Sequence, residues 1–97
     1  MRPLEQYKAI LSRLKPELEK RYHVSSIGLF GSVVRDDFSI TNSDVDVIVD
    51  FREPVGIEFI ELADYLEQEF HRKVDLVSVR GVKPQYLKAI ESQIVYV

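Results

Sequence analysis

Apolar residues recur at spacings of three and four near the start of the chain, where Leu4, Tyr7, Leu11, Leu14 and Leu18 form one stripe. That periodicity predicts an amphipathic helix, with Pro3 suited to its first turn. Pro16 has no N–H to give and crowds the preceding turn, so it predicts a break near Lys15 and a second short helical piece through about Arg21. Val24 to Phe30 reads as a strand that ends at Gly31-Ser32. From Asp44 to Phe51 the pattern alternates strictly: Val45, Val47, Val49 and Phe51 fall on one face, and Asp44, Asp46, Ile48 and Asp50 on the other. After a loop at Glu53-Pro54-Val55-Gly56, the residues Phe59, Ile60, Ala63, Leu66 and Phe70 mark a helix from about Ile57 to Phe70. Lys73 to Val79 is a further strand. Pro84 opens a last helix that carries Leu87 and Ile90, and Ile94 to Val97 forms a terminal strand or apolar tail.

Helix, strand, strand, helix, strand, helix predicts an α/β (α+β) domain, in which helices pack on a small mixed β-sheet. The 97 residues suffice for one domain, 1–97, and no repeat or Gly/Ser-rich linker divides them. Zero cysteine excludes disulfide scaffolds, thiol nucleophiles and Cys-based zinc sites. No apolar run approaches the roughly 20 residues that span a bilayer, and the first residues lack a signal-peptide core, so a cytoplasmic protein without a membrane partner is expected. The formal net charge of −3 argues against a protein that coats nucleic acid through charge, and no direct nucleic-acid partner is expected.

The candidate chemistry lies in Gly31-Ser32-Val33-Val34-Arg35-Asp36-Asp37 and, a few residues on, Ser43-Asp44-Val45-Asp46. Residues two apart on a strand project from the same face, with Cα atoms about 6.5–7 Å apart, so Asp44 and Asp46 aim two carboxylates into one space. Their mutual repulsion calls for a divalent cation, and Mg²⁺ favours a few carboxylates completed by water and phosphate oxygens. Asp75, in the next predicted strand, joins the cluster if that strand pairs beside Asp44–Phe51; otherwise it is one more solvent-facing acid. Glycine at 31 admits a phosphate close to the backbone, and the amides and hydroxyl of the Gly31-Ser32 turn suit an anion. Arg35, one turn later, offers either a fork for a phosphate or a surface ion pair with Asp36 or Asp37. With seven aspartates in the chain, about half an Asp-x-Asp is expected by chance. Gly-Ser together with Asp-x-Asp at this offset has an expectation on the order of 0.002. His23 and His71 read as incidental surface residues.

Gly-Ser, a dozen residues, Asp-x-Asp on a strand and a later strand aspartate together resemble the nucleotidyltransferase superfamily that includes DNA polymerase beta. The closer resemblance is to the minimal nucleotidyltransferases, the MNT-domain antitoxins paired with HEPN-domain toxins. It covers nearly the whole chain through "IGLFGSVVRDDF", "SDVDVIVDF", "KVDLV" and "IVYV". The resemblance implies a polymerase beta-like fold and transfer of AMP from ATP to a tyrosine of a partner HEPN RNase toxin, which silences the toxin. It implies that Gly31 and Ser32, with Arg35 and Ser43, bind the nucleotide, and that Asp44 and Asp46 bind two Mg²⁺ ions. Asp75 would complete the metal site and help deprotonate the acceptor hydroxyl. Many relatives carry glycine after the motif arginine, where this chain has Asp36, an extra acid near the phosphates.

The shortness of the chain after the third carboxylate strand leads us to expect an acceptor on another protein. Leu87, Ile90 and the apolar tail offer a surface to dock it or, alternatively, pack on this protein's own core. Two other readings are open: an antitoxin that neutralises by binding without turnover, and nucleotide transfer to a small molecule or an RNA end.

Overall fold

The computed structural model describes residues 2–39 and 42–97, and in it the first apolar stripe is one unbroken helix, α1 (Pro3–Tyr22). The expected break at Pro16 does not occur. Pro16 sits on the exposed side of α1, whereas Tyr7, Leu11, Leu14, Leu18 and Tyr22 on either side of it are buried. Burying each such side chain gives about 1.5–3 kcal/mol, and together they outweigh a proline cost of about 3 kcal/mol. Pro16→Ala returns the donor that the Ser12 carbonyl lacks, and is expected to raise stability by about 1–3 kcal/mol in denaturant melts.

The remaining elements follow the predicted order: β1 (Val24–Phe30), a one-turn helix α2 (Ser32–Arg35), β2 (Val45–Phe51), α3 (Ile57–Phe70), β3 (Val74–Ser78), α4 (Pro84–Ile90), a 3₁₀ turn over Glu91–Gln93 and β4 (Val95–Tyr96). Asp44, expected to open the second strand, lies just before it. The sheet order is β3-β2-β1-β4, a mixed sheet as anticipated. β1 runs antiparallel to β2 and β4, while β2 and β3 are parallel and joined through the crossover helix α3. Gly28 lets β4 come close, since a Cβ there would stand 2.9 Å from the Val95 carbonyl oxygen.

Both faces of the sheet are used. Val45, Val47, Val49 and Phe51 join Ile27, Leu29 and the buried sides of α1 and α3 in the main core. On the opposite face Ile48 packs with Phe30 and Ile90, bordered by Leu87, Val77 and Ile94. This explains the apolar Ile48 among the acids of β2: α4 covers the middle of that face. Leu87 and Ile90 therefore serve this protein's own core. His23 and His71 end α1 and α3 in the left-handed conformation (φ 60° and 54°), a position more often given to glycine.

Candidate active site

The site grows out of strand register. β1 and β2 pair with Phe30 opposite Asp46, and β2 and β3 pair with Asp46 opposite Asp75. Residues in register share a face, so Asp75 and Asp46 lie side by side on the face that carries Ile48, and Gly31 follows directly at the end of β1. The structure thus settles the position of Asp75: its strand pairs beside β2 and brings it into the cluster. The parallel ladder extends on either side, with the Val45 N–H donating to the Lys73 carbonyl (3.0 Å) and the Val79 N–H to the Val49 carbonyl (2.9 Å).

Gly31 is required on two counts. Its φ of 76° and ψ of −148° lie where only glycine is comfortable. A Cβ there would also overlap the Asp46 carboxylate and stand 2.9 Å from its Cγ. The chain then turns into α2, with the Val34 and Arg35 N–H groups both donating to the Gly31 carbonyl at 3.0 Å. Ser32, at the first position of α2, is half-buried. Asp36 ends α2 in the left-handed conformation, φ 70°. That backbone explains why glycine suits this position, and aspartate is among the side chains that tolerate it. Arg35 pairs with Asp37 rather than Asp36, at 3.7 Å, and both side chains are more than half exposed, so the pair contributes little.

Asp46 carries the electrostatic signature of the site. Burial raises its pKa to about 6, the nearby Asp75 and then Asp44 push in the same direction, and Arg35 opposes them. Asp44 and Asp75 are exposed, and Asp46 is half-buried between them. The oxygen-only donor set suits a hard divalent cation. Among the described residues no three acidic or histidine side chains already close around an ion. Such a set fits Mg²⁺, which takes one or two carboxylates and fills its other positions with water and phosphate oxygens.

Ser43 has a loop-forming bond: its Oγ accepts from the Ser39 N–H (2.9 Å), and its own N–H donates to the Ser39 carbonyl (2.9 Å). Two residues went unnoticed in the sequence. Arg72 donates to the Ser43 carbonyl (3.3 Å) and lies over the Phe38 ring (5.3 Å), tying down the segment that leads into Asp44. Gln93, just before β4, reaches Gly31 and Arg35 from the β4 side of β1. Neither belongs to a short motif, and only their place beside β1 and β2 reveals them. No helix among the described residues is long and apolar enough to cross a membrane.

A family model described as nucleotidyltransferase domain matches residues 11–97. The protein adenylyltransferase MntA of Thermococcus cleftensis is 43% identical over 98 residues, spanning 100% of this chain and 98% of that one. A protein of Methanocaldococcus jannaschii is 37% identical over 99 residues that cover both chains fully. Among solved structures, a toxin–antitoxin complex with AMP-PNP superposes with a TM-score of 0.73 at 25% identity, over 93% of this chain and 70% of that one. The Shewanella oneidensis MNT antitoxin bound to its tri-AMPylated HEPN toxin gives a TM-score of 0.66 at 22% identity, over 93% of this chain and 70% of that one, which is a likeness of fold. With these matches the chain belongs to the nucleotidyltransferase domain family, alongside the protein adenylyltransferases related to MntA.

Proposed function

We propose that this chain is an antitoxin that transfers AMP from ATP to a tyrosine hydroxyl of a HEPN-domain RNase toxin and thereby silences it. The observation that carries this reading is Asp46 beside Asp75 on adjacent strands, with Gly31 just past the end of β1 against the Asp46 carboxylate, in a chain that matches MntA along its whole length. The matched relative is named for protein adenylylation, and the solved relatives include a complex with an ATP analogue.

In this reading Asp44 and Asp46 hold two Mg²⁺ ions, with Asp75 completing the set. When bound, the metal would supply neutralisation of the charge on the transferring phosphoryl group. Gly31 and Ser32 hold the triphosphate through backbone approach and a hydroxyl donor, with Arg35 as a cationic fork and Ser43 beside the nucleotide. The acceptor oxygen attacks the α-phosphorus in line as the bond to pyrophosphate breaks. Asp75, an exposed neighbour of the half-buried Asp46, receives the hydroxyl proton. The protein's share is mostly positioning: three carboxylates fixed by strand register and a turn that only glycine allows.

The test is incubation with Mg²⁺, ATP labelled at the α-phosphate and the HEPN partner. Label is expected on the toxin, with its RNase activity falling in step. An unlabelled toxin despite demonstrated ATP binding overturns the reading. The double variant Asp44→Ala/Asp46→Ala is expected to leave the toxin unlabelled and active; full neutralisation by that variant would favour an antitoxin that works by contact alone. Labelling of a small molecule or an RNA end in place of the toxin would move the acceptor elsewhere.

A further inference from the structure

Gly31 has a further neighbour, on the β4 side of β1. β4 pairs with β1 through Leu29 opposite Val95, and the antiparallel register carried two residues further sets Gln93 opposite Gly31. There the ladder is completed by a side chain. The Gly31 N–H donates to Gln93 Oε1 at 3.1 Å, and the Arg35 guanidinium donates to the same oxygen at 3.3 Å. One amide oxygen thus joins the first backbone donor of the Gly31-Ser32 turn to the only cation of α2, from 62 and 58 positions away in the chain.

Arg35 is held by two acceptors at once. Asp37 Oδ2 lies 3.7 Å from its Nε, on the solvent side of the turn, and that exposed pair is weakly held. Gln93 engages a different guanidinium nitrogen, and the Arg35 charge is also felt by Asp46. A neutral acceptor is well chosen for such a place. It orients the guanidinium without neutralising it and adds no negative charge to a site that already holds three aspartates.

We propose that Gln93 is a positioning residue for the nucleotide: its Oε1 holds the Arg35 guanidinium and the Gly31 amide in one fixed arrangement, so that the cation is kept beside the turn that meets the triphosphate rather than left to Asp37 alone. The inference rests on the nucleotide role of Gly31 and Arg35 given above, and concerns how that site is held rather than what it does.

The experiment compares wild type, Gln93→Met, Arg35→Ala and the double variant for ATP KM and kcat in toxin labelling, with thermal melts of each. Methionine matches glutamine in length but offers no comparable acceptor. Loss of a hydrogen bond to a charged group predicts a roughly tenfold higher KM for ATP. Because phosphate contacts act before and during transfer, kcat is expected to change less than threefold. In the Arg35→Ala background Gln93→Met is expected to shift KM less than twofold, the signature of action through Arg35. If Gln93→Met fails to fold, Gln93→Asn, one methylene too short to reach both donors, carries the same expectation. An unchanged KM, a lowered KM or full additivity with Arg35→Ala overturns the role of Gln93 while leaving the transferase reading standing. A wild-type chain that neither binds ATP nor labels its partner overturns both.

Discussion

Asp46→Asn is expected to yield a protein that melts higher than wild type in the absence of divalent cations and transfers essentially nothing. The stabilising half follows from the environment of the carboxylate. Burial and two neighbouring aspartates raise its pKa from 3.8 to about 6. In the unfolded chain that proton is gone by about pH 5, whereas the folded chain still holds it. Folding is therefore favoured most below the unfolded value of 3.8, and this advantage is lost as pH rises through about 6. At neutral pH the ionised Asp46 opposes folding. A shift of about two units corresponds to roughly 3 kcal/mol, but Asp46 is only half-buried, and screening by water leaves about 1 kcal/mol. Asparagine keeps the shape without the charge, so its Tm at pH 7 should rise by about 4–8 °C, and the fall in stability between pH 4 and pH 6 should flatten. The same substitution removes a proposed metal ligand and should cut labelling of the toxin by on the order of a thousandfold. Added Mg²⁺ with ATP should raise the Tm of wild type and leave that of Asp46→Asn nearly unmoved. Melting curves from pH 4 to 8, with and without Mg²⁺, check every part. A variant that melts lower than wild type at pH 7 would refute the electrostatic account.

Gly31→Ala should do the reverse, losing both stability and activity. The new methyl group meets the Asp46 carboxylate, and the backbone at φ 76° is one that alanine resists. Strain at such a position is worth about 1–3 kcal/mol, and displacing a packed neighbour adds about 1–3 kcal/mol more. A loss of about 2–6 kcal/mol is large for a domain of 97 residues, whose total stability is of the order of 5–15 kcal/mol. The two contributions can be separated. In an Asp46→Ala background the overlap disappears and the backbone strain remains, so Gly31→Ala should cost about 1–3 kcal/mol there. Equal costs in the two backgrounds would mean that the carboxylate is not what the glycine accommodates. Denaturant melts of the four chains decide it.

Much of this architecture was legible in the periodicity. The alternating valines marked β2, the run from Ile57 to Phe70 marked α3 to the residue, and Gly31-Ser32 marked the turn between β1 and α2. Pro16 misled because a local rule was weighed without the tertiary packing of Leu14 and Leu18 that overrides it. The alternation also gave Ile48 to an acidic face without showing that α4 would cover it. Asp75 had two readings because periodicity tells which face a side chain takes and leaves open which strand lies next to which; only the pairing of β2 with β3 decided. Gln93 was invisible for a deeper reason. Its role comes from one amide oxygen that meets two donors some sixty residues away, and nothing in the composition of Glu91-Ser92-Gln93 announces it.

The register of β2 ties the making of the enzyme to its use. Its odd-numbered residues from Val45 to Phe51 fill the core, and its even-numbered residues face Asp75 and α4. A slip of one position against β1 would expose the valines and turn the aspartates inward, an exchange no compact state survives. Misregistered copies are therefore eliminated by their own instability. Every molecule that stays folded is one that keeps Asp46 beside Asp75.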